Sequence, residues 1–106
     1  NLRVLKHVRD TYGQDEAGSF AWGRHWNEVG LEAYEKMVAG QSVAGRFSHG
    51  DSPTLADTCL VPQVFGAKRF SSDLTRFPRV MAVFDACMKL DAFDRAQPAK
   101  QPDFEP

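Results

Sequence analysis

The stretch Thr54-Leu55-Ala56-Asp57-Thr58-Cys59-Leu60-Val61-Pro62-Gln63 joins a helix-starting signal to a helix that is apolar almost all round. Thr54 reads as the N-cap, its hydroxyl accepting from the Asp57 backbone N–H while the Asp57 carboxylate reaches back to the N–H of Thr54. That reciprocal pair is a capping box, with Asp in the position more often held by Glu. The carboxylate also lies at the positive end of the helix dipole. Behind the box, Leu55, Cys59, Leu60, Val61, Val64 and Phe65 cover nearly every direction around the axis. The spacing therefore predicts a buried helix at the centre of a bundle. Pro62 removes a backbone donor inside it and is expected to kink it. Pro53 before the cap and Thr58 four residues beyond it make a weak hydrophobic staple.

Other helices are legible on both sides. Leu2, Leu5, Val8 and Tyr12 recur at three- and four-residue spacing, which predicts a first helix over Asn1 to Tyr12 that Gly13 ends. Gln14 to Gly18 reads as a polar loop, with Ser19 as N-cap of the longest helix, Phe20 to Ala39. Trp22, Trp26, Val29, Ala33 and Met37 form a stripe expected in the core, flanked by Leu31, Tyr34 and Val38. Glu28, Glu32, Glu35 and Lys36 are expected in water, with Glu32 and Lys36 as an i,i+4 pair. Gly23 and Gly30 each cost about 1 kcal/mol against Ala inside a helix, and read as places where another helix comes close. Gly40 is the C-cap.

Gln41 to Pro53 reads as a loop, briefly extended over Val43 to Phe47. The capped helix runs from Thr54 to Phe70 and a loop covers Ser71 to Arg76. Pro78 opens a fourth helix carrying Val80, Val83, Phe84 and Cys87. A short fifth helix is expected near Ala92 to Ala96. Pro98, Pro102 and Pro106 make the tail non-helical. No strand alternation is sustained, so the fold class is all-α: a bundle of four main helices plus a short fifth.

The 106 residues suit one domain. Thirteen basic and 14 acidic residues give a net charge of −1, without the basic footprint that nucleic acid or an anionic membrane requires. No apolar run approaches 18 residues, and Asn1 to Lys6 lack the long apolar core of a signal peptide. The chain opens on a helical pattern without Met, which reads as a fragment or a processed product. Cys59 and Cys87 have no CxxC spacing and no nearby His, and read as reduced, buried structural thiols.

Candidate chemistry is sparse. His7, His25 and His49 form no HxxxH pair and read as structural, so no metal is expected. No phosphate loop and no nucleophile elbow is present. Asp10, Asp15 and Glu16 read as a solvated acidic cluster, and Trp22 and Trp26 as core rather than a ligand-stacking surface. Arg69, in the last turn of the capped helix, has two readings. A cation there gains about 0.3–1 kcal/mol from the helix dipole; alternatively its guanidinium grips a carboxylate at the rim of a cleft. Arg3, on the first helix, reads either as an exposed helix arginine or as a second such grip.

Taken in order, Asn1-Leu2-Arg3-Val4-Leu5-Lys6, Thr54-Leu55-Ala56-Asp57, Cys59-Leu60-Val61-Pro62-Gln63-Val64, Arg69-Phe70, Phe77-Pro78, Leu90-Asp91-Ala92-Phe93 and Gln101-Pro102-Asp103 resemble the C-terminal helical domain of zeta-class glutathione S-transferases. That class includes maleylacetoacetate and maleylpyruvate isomerases, and the resemblance covers essentially the whole chain. It implies a two-domain parent whose thioredoxin-like N-terminal domain, absent here, holds glutathione and carries the Ser/Cys motif. The 106 residues would then contain no catalytic residue and be inactive alone. The parent would convert a maleyl-type dicarboxylic acid from cis to trans: glutathione thiolate adds, the intermediate rotates, the thiolate leaves. The resemblance assigns Arg69, and Arg3 with it, to the substrate's carboxylates. It further implies a cytoplasmic homodimer. The alternative is a non-catalytic protein-interaction module of the same fold. The enzyme reading expects uncovered apolar side chains on the first and third helices, whereas a stand-alone bundle expects a polar exterior.

Overall fold

The computed structural model of the chain describes residues 2–41 and 45–104. It contains α1 (Leu2–Tyr12), α2 (Glu16–Ala39), α3 (Leu55–Arg69), α4 (Pro78–Met88) and α5 (Asp91–Arg95), with 3-10 turns at Leu74–Arg76 and Pro98–Lys100. No strand occurs among the described residues, and the all-α bundle of four main helices plus a short fifth is what forms. Asn1, Val43 and Pro106, which figured in the expected first helix, extended loop and tail, lie outside the described residues. The Cα radius of gyration is 15.2 Å, against about 13 Å for a compact chain of this length. The body is flat, 45 × 35 × 21 Å, with α1 carried chiefly on α2 at one edge.

The capping box forms, and its strongest arm is the returning one. The Thr54 backbone N–H donates to Asp57 Oδ2 at 2.7 Å, and the Thr54 hydroxyl donates to the same oxygen at 3.3 Å. The Asp57 N–H meets the Thr54 carbonyl at 3.1 Å. Asp57 has a second task that spacing did not reveal: Oδ1 accepts from the Ser48 backbone N–H at 2.8 Å. Ser48 in turn receives the Tyr34 hydroxyl proton. One fully buried carboxylate thus ties the 45–53 loop, the start of α3 and the middle of α2 together.

The core is built around α4. Val64, Ala67, Val80 and Cys87 are fully buried, with Phe77, Leu60, Val83, Leu31 and Phe84 almost so. Burying each of the larger apolar side chains stabilises by about 1.5–3 kcal/mol. Phe47, expected in a loop, belongs to this core. The expectation of a helix buried all round is corrected for α3. It packs on α2 and α4, while Leu55 is 79% exposed and Cys59 is also exposed. Two neighbours cover only part of a helix's circumference, and the remaining apolar positions face out.

The α2 expectations need three corrections. The helix starts four residues early, because Asp15 caps it by accepting from the Gly18 N–H at 2.7 Å. Ser19 is instead buried within the helix, its hydroxyl donating to the Glu16 carbonyl at 2.9 Å. The tryptophan stripe faces outward: Trp22, Trp26, Val29 and Met37 are 40–63% exposed. The flanking set, Leu31 with Tyr34 and Val38, is the one that meets the core. Both sets have helical spacing, so periodicity identifies two apolar faces without saying which is covered.

The third correction concerns the glutamates. Glu35 does not simply face water: its carboxylate accepts from the N–H groups of Arg79 and Val80, at 2.9 and 2.8 Å, and caps α4 from outside. Phe77, the N-cap residue, provides no side-chain bond of its own. Glu28 accepts from the Asp73 N–H at 3.3 Å and pairs with Arg76 at 3.0 Å. The Glu32–Lys36 pair forms at 3.0 Å. The tail, expected to be non-helical, contains the 3-10 turn, and Gln101 anchors it by donating to the Arg95 and Gln97 carbonyls.

The Asp57 tie is testable. Burial pushes its carboxyl pKa up, but the bonds from Ser48 and Thr54 outweigh burial and hold it below the usual aspartate value. A lowered folded-state pKa means that the stabilisation is complete above the unfolded value, about 3.9, and is lost as pH falls below it. Asp57→Ala leaves buried backbone N–H groups without an acceptor and should cost on the order of 3 kcal/mol in urea unfolding at pH 7. The gap between wild type and variant should shrink as pH drops towards 3; a gap independent of pH would remove the carboxylate from this role.

Candidate functional site

A cleft of about 230 Å³ opens where α1, α2 and the end of α3 converge. Val4 and Leu5 come from α1, Trp22, Gly23, Trp26 and Asn27 from α2, and Gln63 and Phe70 from α3 and its cap. Trp22 and Trp26 stand 6.1 Å apart by ring centroid, and His25 sits edge-on to Trp26 at 4.9 Å. The walls are mostly apolar, with the two amides of Asn27 and Gln63 as polar liners. Asn27 donates to the Gly23 carbonyl at 2.9 Å, which fixes its orientation. A second cleft of about 280 Å³ shares Trp26, Asn27 and Gln63 and continues between α2 and α3 past Tyr34 and Cys59.

Gly23 makes this geometry possible. A Cβ there would lie 2.7 Å from the Phe70 ring, so only glycine admits the ring against the helix backbone. Phe70 is 2% exposed and meets Phe20 edge-on at 5.3 Å. Gly30 was expected to serve the same purpose but has nothing near its Cβ position.

Arg69 and Arg3 are both exposed, and neither enters an ion pair among the described residues. Arg69 precedes Phe70 and Arg3 precedes Val4, two lining residues of the first cleft. Lys68 belongs to the other side of α3, its ammonium 4.2 Å from the Phe84 ring centroid. The histidines and the acidic cluster make local contacts. His7 bonds Thr11 at 3.1 Å and His49 faces Gln41 at 3.4 Å. In the acidic cluster, Asp10 pairs with Lys6 at 2.6 Å and Asp15 is the α2 cap. No group of three or more His, Cys, Asp or Glu side chains suited to a metal occurs among the described residues.

Of the two thiols expected to be buried, only Cys87 is. Burial, with the Asp57 charge adding to it, pushes its pKa up to about 11. Cys59 is exposed beside the second cleft, because α3 turns that face away from α4. Sequence reasoning also missed Trp22, Trp26, Asn27 and Gln63 as cleft walls. The usable signal was Gly23 between Trp22 and Arg24, a glycine that a long helix keeps at a cost of about 1 kcal/mol.

The described residues form a wholly helical body with an apolar cleft at the end of a box-capped helix, the fold of about half of a solved glutathione S-transferase chain. The chain is homologous to the zeta class of that family. It is 52% identical over 103 residues to a maleylpyruvate isomerase of a Ralstonia species, covering 97% of this chain and 49% of that protein. A holo structure of maleylpyruvate isomerase, a bacterial zeta-class enzyme, superposes with a TM-score of 0.95 at 51% identity, covering 99% of this chain and 50% of that one. A maleylacetoacetate isomerase from Anaeromyxobacter dehalogenans, with dicarboxyethyl glutathione and citrate in its active site, gives 0.89 at 42% identity, covering 100% of this chain and 46% of that one. No family model matches the chain. The chain spans about half the length of the relatives it matches, and no helix among its described residues is long and apolar enough to cross a membrane.

The two glycines make a paired test. Gly30→Ala should stabilise by up to about 1 kcal/mol through helix propensity alone. Gly23→Ala gains the same propensity but must displace Phe70, and overpacking of about 1–3 kcal/mol should make it destabilising in thermal unfolding. Equal effects of the two substitutions would show that the Phe70 contact is not tight.

Proposed function

We propose that these residues form the substrate-binding, C-terminal helical half of a glutathione-dependent cis–trans isomerase acting on maleylacetoacetate or maleylpyruvate. The observation that carries the reading is the pairing of an apolar cleft with unpaired arginines next to two of its wall residues, in a chain about half identical to a maleylpyruvate isomerase. A maleyl-type acid needs an apolar slot for its double bond and cations for its carboxylates. In this proposal Arg69 holds one carboxylate in bidentate fashion and Arg3 the second. Trp22 and Trp26 shield the slot from water, which strengthens both ionic contacts.

Glutathione, when bound, provides the thiol that makes isomerisation possible. It carries two carboxylates and an ammonium, and with Arg69 and Arg3 committed to the acid, the amides of Asn27 and Gln63 leave those charges unmet. The proposal therefore places glutathione on a thioredoxin-like half outside the 106 residues, and assigns this half the acid. Exposed Leu2, Val4 and Tyr12 of α1 and Leu55 of α3 supply the uncovered apolar surface that docking of a second half requires. The whole protein is proposed to be a cytoplasmic homodimer that takes small dicarboxylic acids.

In the full-length protein, Arg69→Ala should raise KM for the maleyl substrate about 10- to 100-fold, the loss expected of a charge-assisted pair. KM for an uncharged glutathione acceptor should stay within about twofold. Equal effects on both substrates would take Arg69 out of the acid site.

A further inference from the structure

We propose that Arg24 is a positioning residue for Arg69, acting through the carbonyl of Phe70; the inference rests on the acid-binding role given to Arg69 above. The end of α3 is held by an unusual set of contacts. The Ser72 N–H donates to the Ala67 carbonyl and the Ser71 N–H to the Lys68 carbonyl, each at 3.0 Å. Those two bonds define a Schellman motif with Phe70 as the C-cap and Ser71 one residue beyond it. The position Ser71 occupies is left-handed, φ +56°, where glycine is the usual residue. Ser71 is the only non-glycine residue with positive φ among the described residues.

Such a backbone persists only where its surroundings over-determine it. Contacts between α2 and Phe70 do so here. The ring rests on Gly23, where no Cβ would fit. The carbonyl, one of those an α-helix leaves unpaired at its C-terminus, accepts from Arg24 Nε at 2.8 Å across 46 residues of sequence. Ring and carbonyl together fix both position and rotation of the residue that follows Arg69. With its neighbour locked, the backbone that carries Arg69 is fixed beside the cleft wall, and less of its freedom remains to be lost when a carboxylate arrives. Arg24 uses a single N–H for this and makes no ion pair among the described residues. A lysine can imitate one donor and one charge, though not a bidentate fork.

The test is kinetic, on the full-length protein with maleylpyruvate and glutathione. Arg24→Ala should raise KM for the acid about tenfold with kcat within about twofold, and Arg24→Lys should recover most of the loss. The double variant Arg24→Ala/Arg69→Ala should be no worse than Arg69→Ala alone, because the two act as one unit. Ser71→Gly keeps the backbone and relieves its strain; it should raise Tm and leave KM unchanged, which separates stability from positioning. If Arg69→Ala raises KM while Arg24→Ala does not, this inference fails and the acid site stands. If Arg24→Ala lowers Tm and impairs an uncharged acceptor equally, Arg24 is merely structural. If Arg69→Ala itself leaves KM unchanged, the acid-site reading falls and this inference with it.

Discussion

The buried carboxylate of Asp57 is the constraint on which the rest of the molecule depends. A charged group with no exposed surface is costly unless its oxygens are fully occupied, and here the backbone of Thr54, the backbone of Ser48 and two hydroxyls occupy them. The consequence is geometric as well as energetic. Ser48 must come to Asp57, so Phe47 is carried into the core beside Leu60 and Leu31. Tyr34 must reach Ser48, so the rotation of α2 about its own axis is set. That rotation points Glu28 at the turn after α3 and Glu35 at the start of α4, and puts Gly23 under Phe70.

The second organising device is a row of carboxylates and one guanidinium along a single face of α2. Arg24, Glu28 and Glu35 meet, in order, the C-terminal end of α3, the turn after it and the N-terminus of α4. Charge signs follow the helix dipoles: a cation at a C-terminus, an anion at an N-terminus. The long helix therefore acts as a ruler for the α3–α4 connection. It leaves its opposite face, with Trp22, Trp26, Val29 and Met37, bare.

Much of this was legible in the residues themselves. The capping box, Pro78 at the first turn of α4, Gly13 after α1 and Gly40 after α2 each encode a local backbone event, and local events survive into the fold. The choice of covered face did not survive, because it depends on partners distant in sequence. Leu55 and Trp26 have the same local credentials as Leu60 and Leu31, and only tertiary neighbours distinguish them. Ser19 misled because Asp15, four residues earlier, is the better cap and Glu16 suits the dipole. Arg69 stands out as a candidate by its place in a helix and by resemblance; Arg24 does not, because its partner is a main-chain oxygen that no motif records.

The contacts of α2 also bear on how the chain is made. Its bonds to Phe70, Asp73, Arg76, Arg79 and Val80 span 44–48 residues. Helix α2 is complete in sequence at Ala39, but the N–H groups that its Glu35 serves are not synthesised until residue 80. At about 5–20 residues per second, that interval lasts roughly 2–8 s on the ribosome. Until then the carboxylates of Glu28 and Glu35, and the face of α2 that α4 covers, lack their partners. The emergence of α4 is thus the event that ends the exposure of this face of α2.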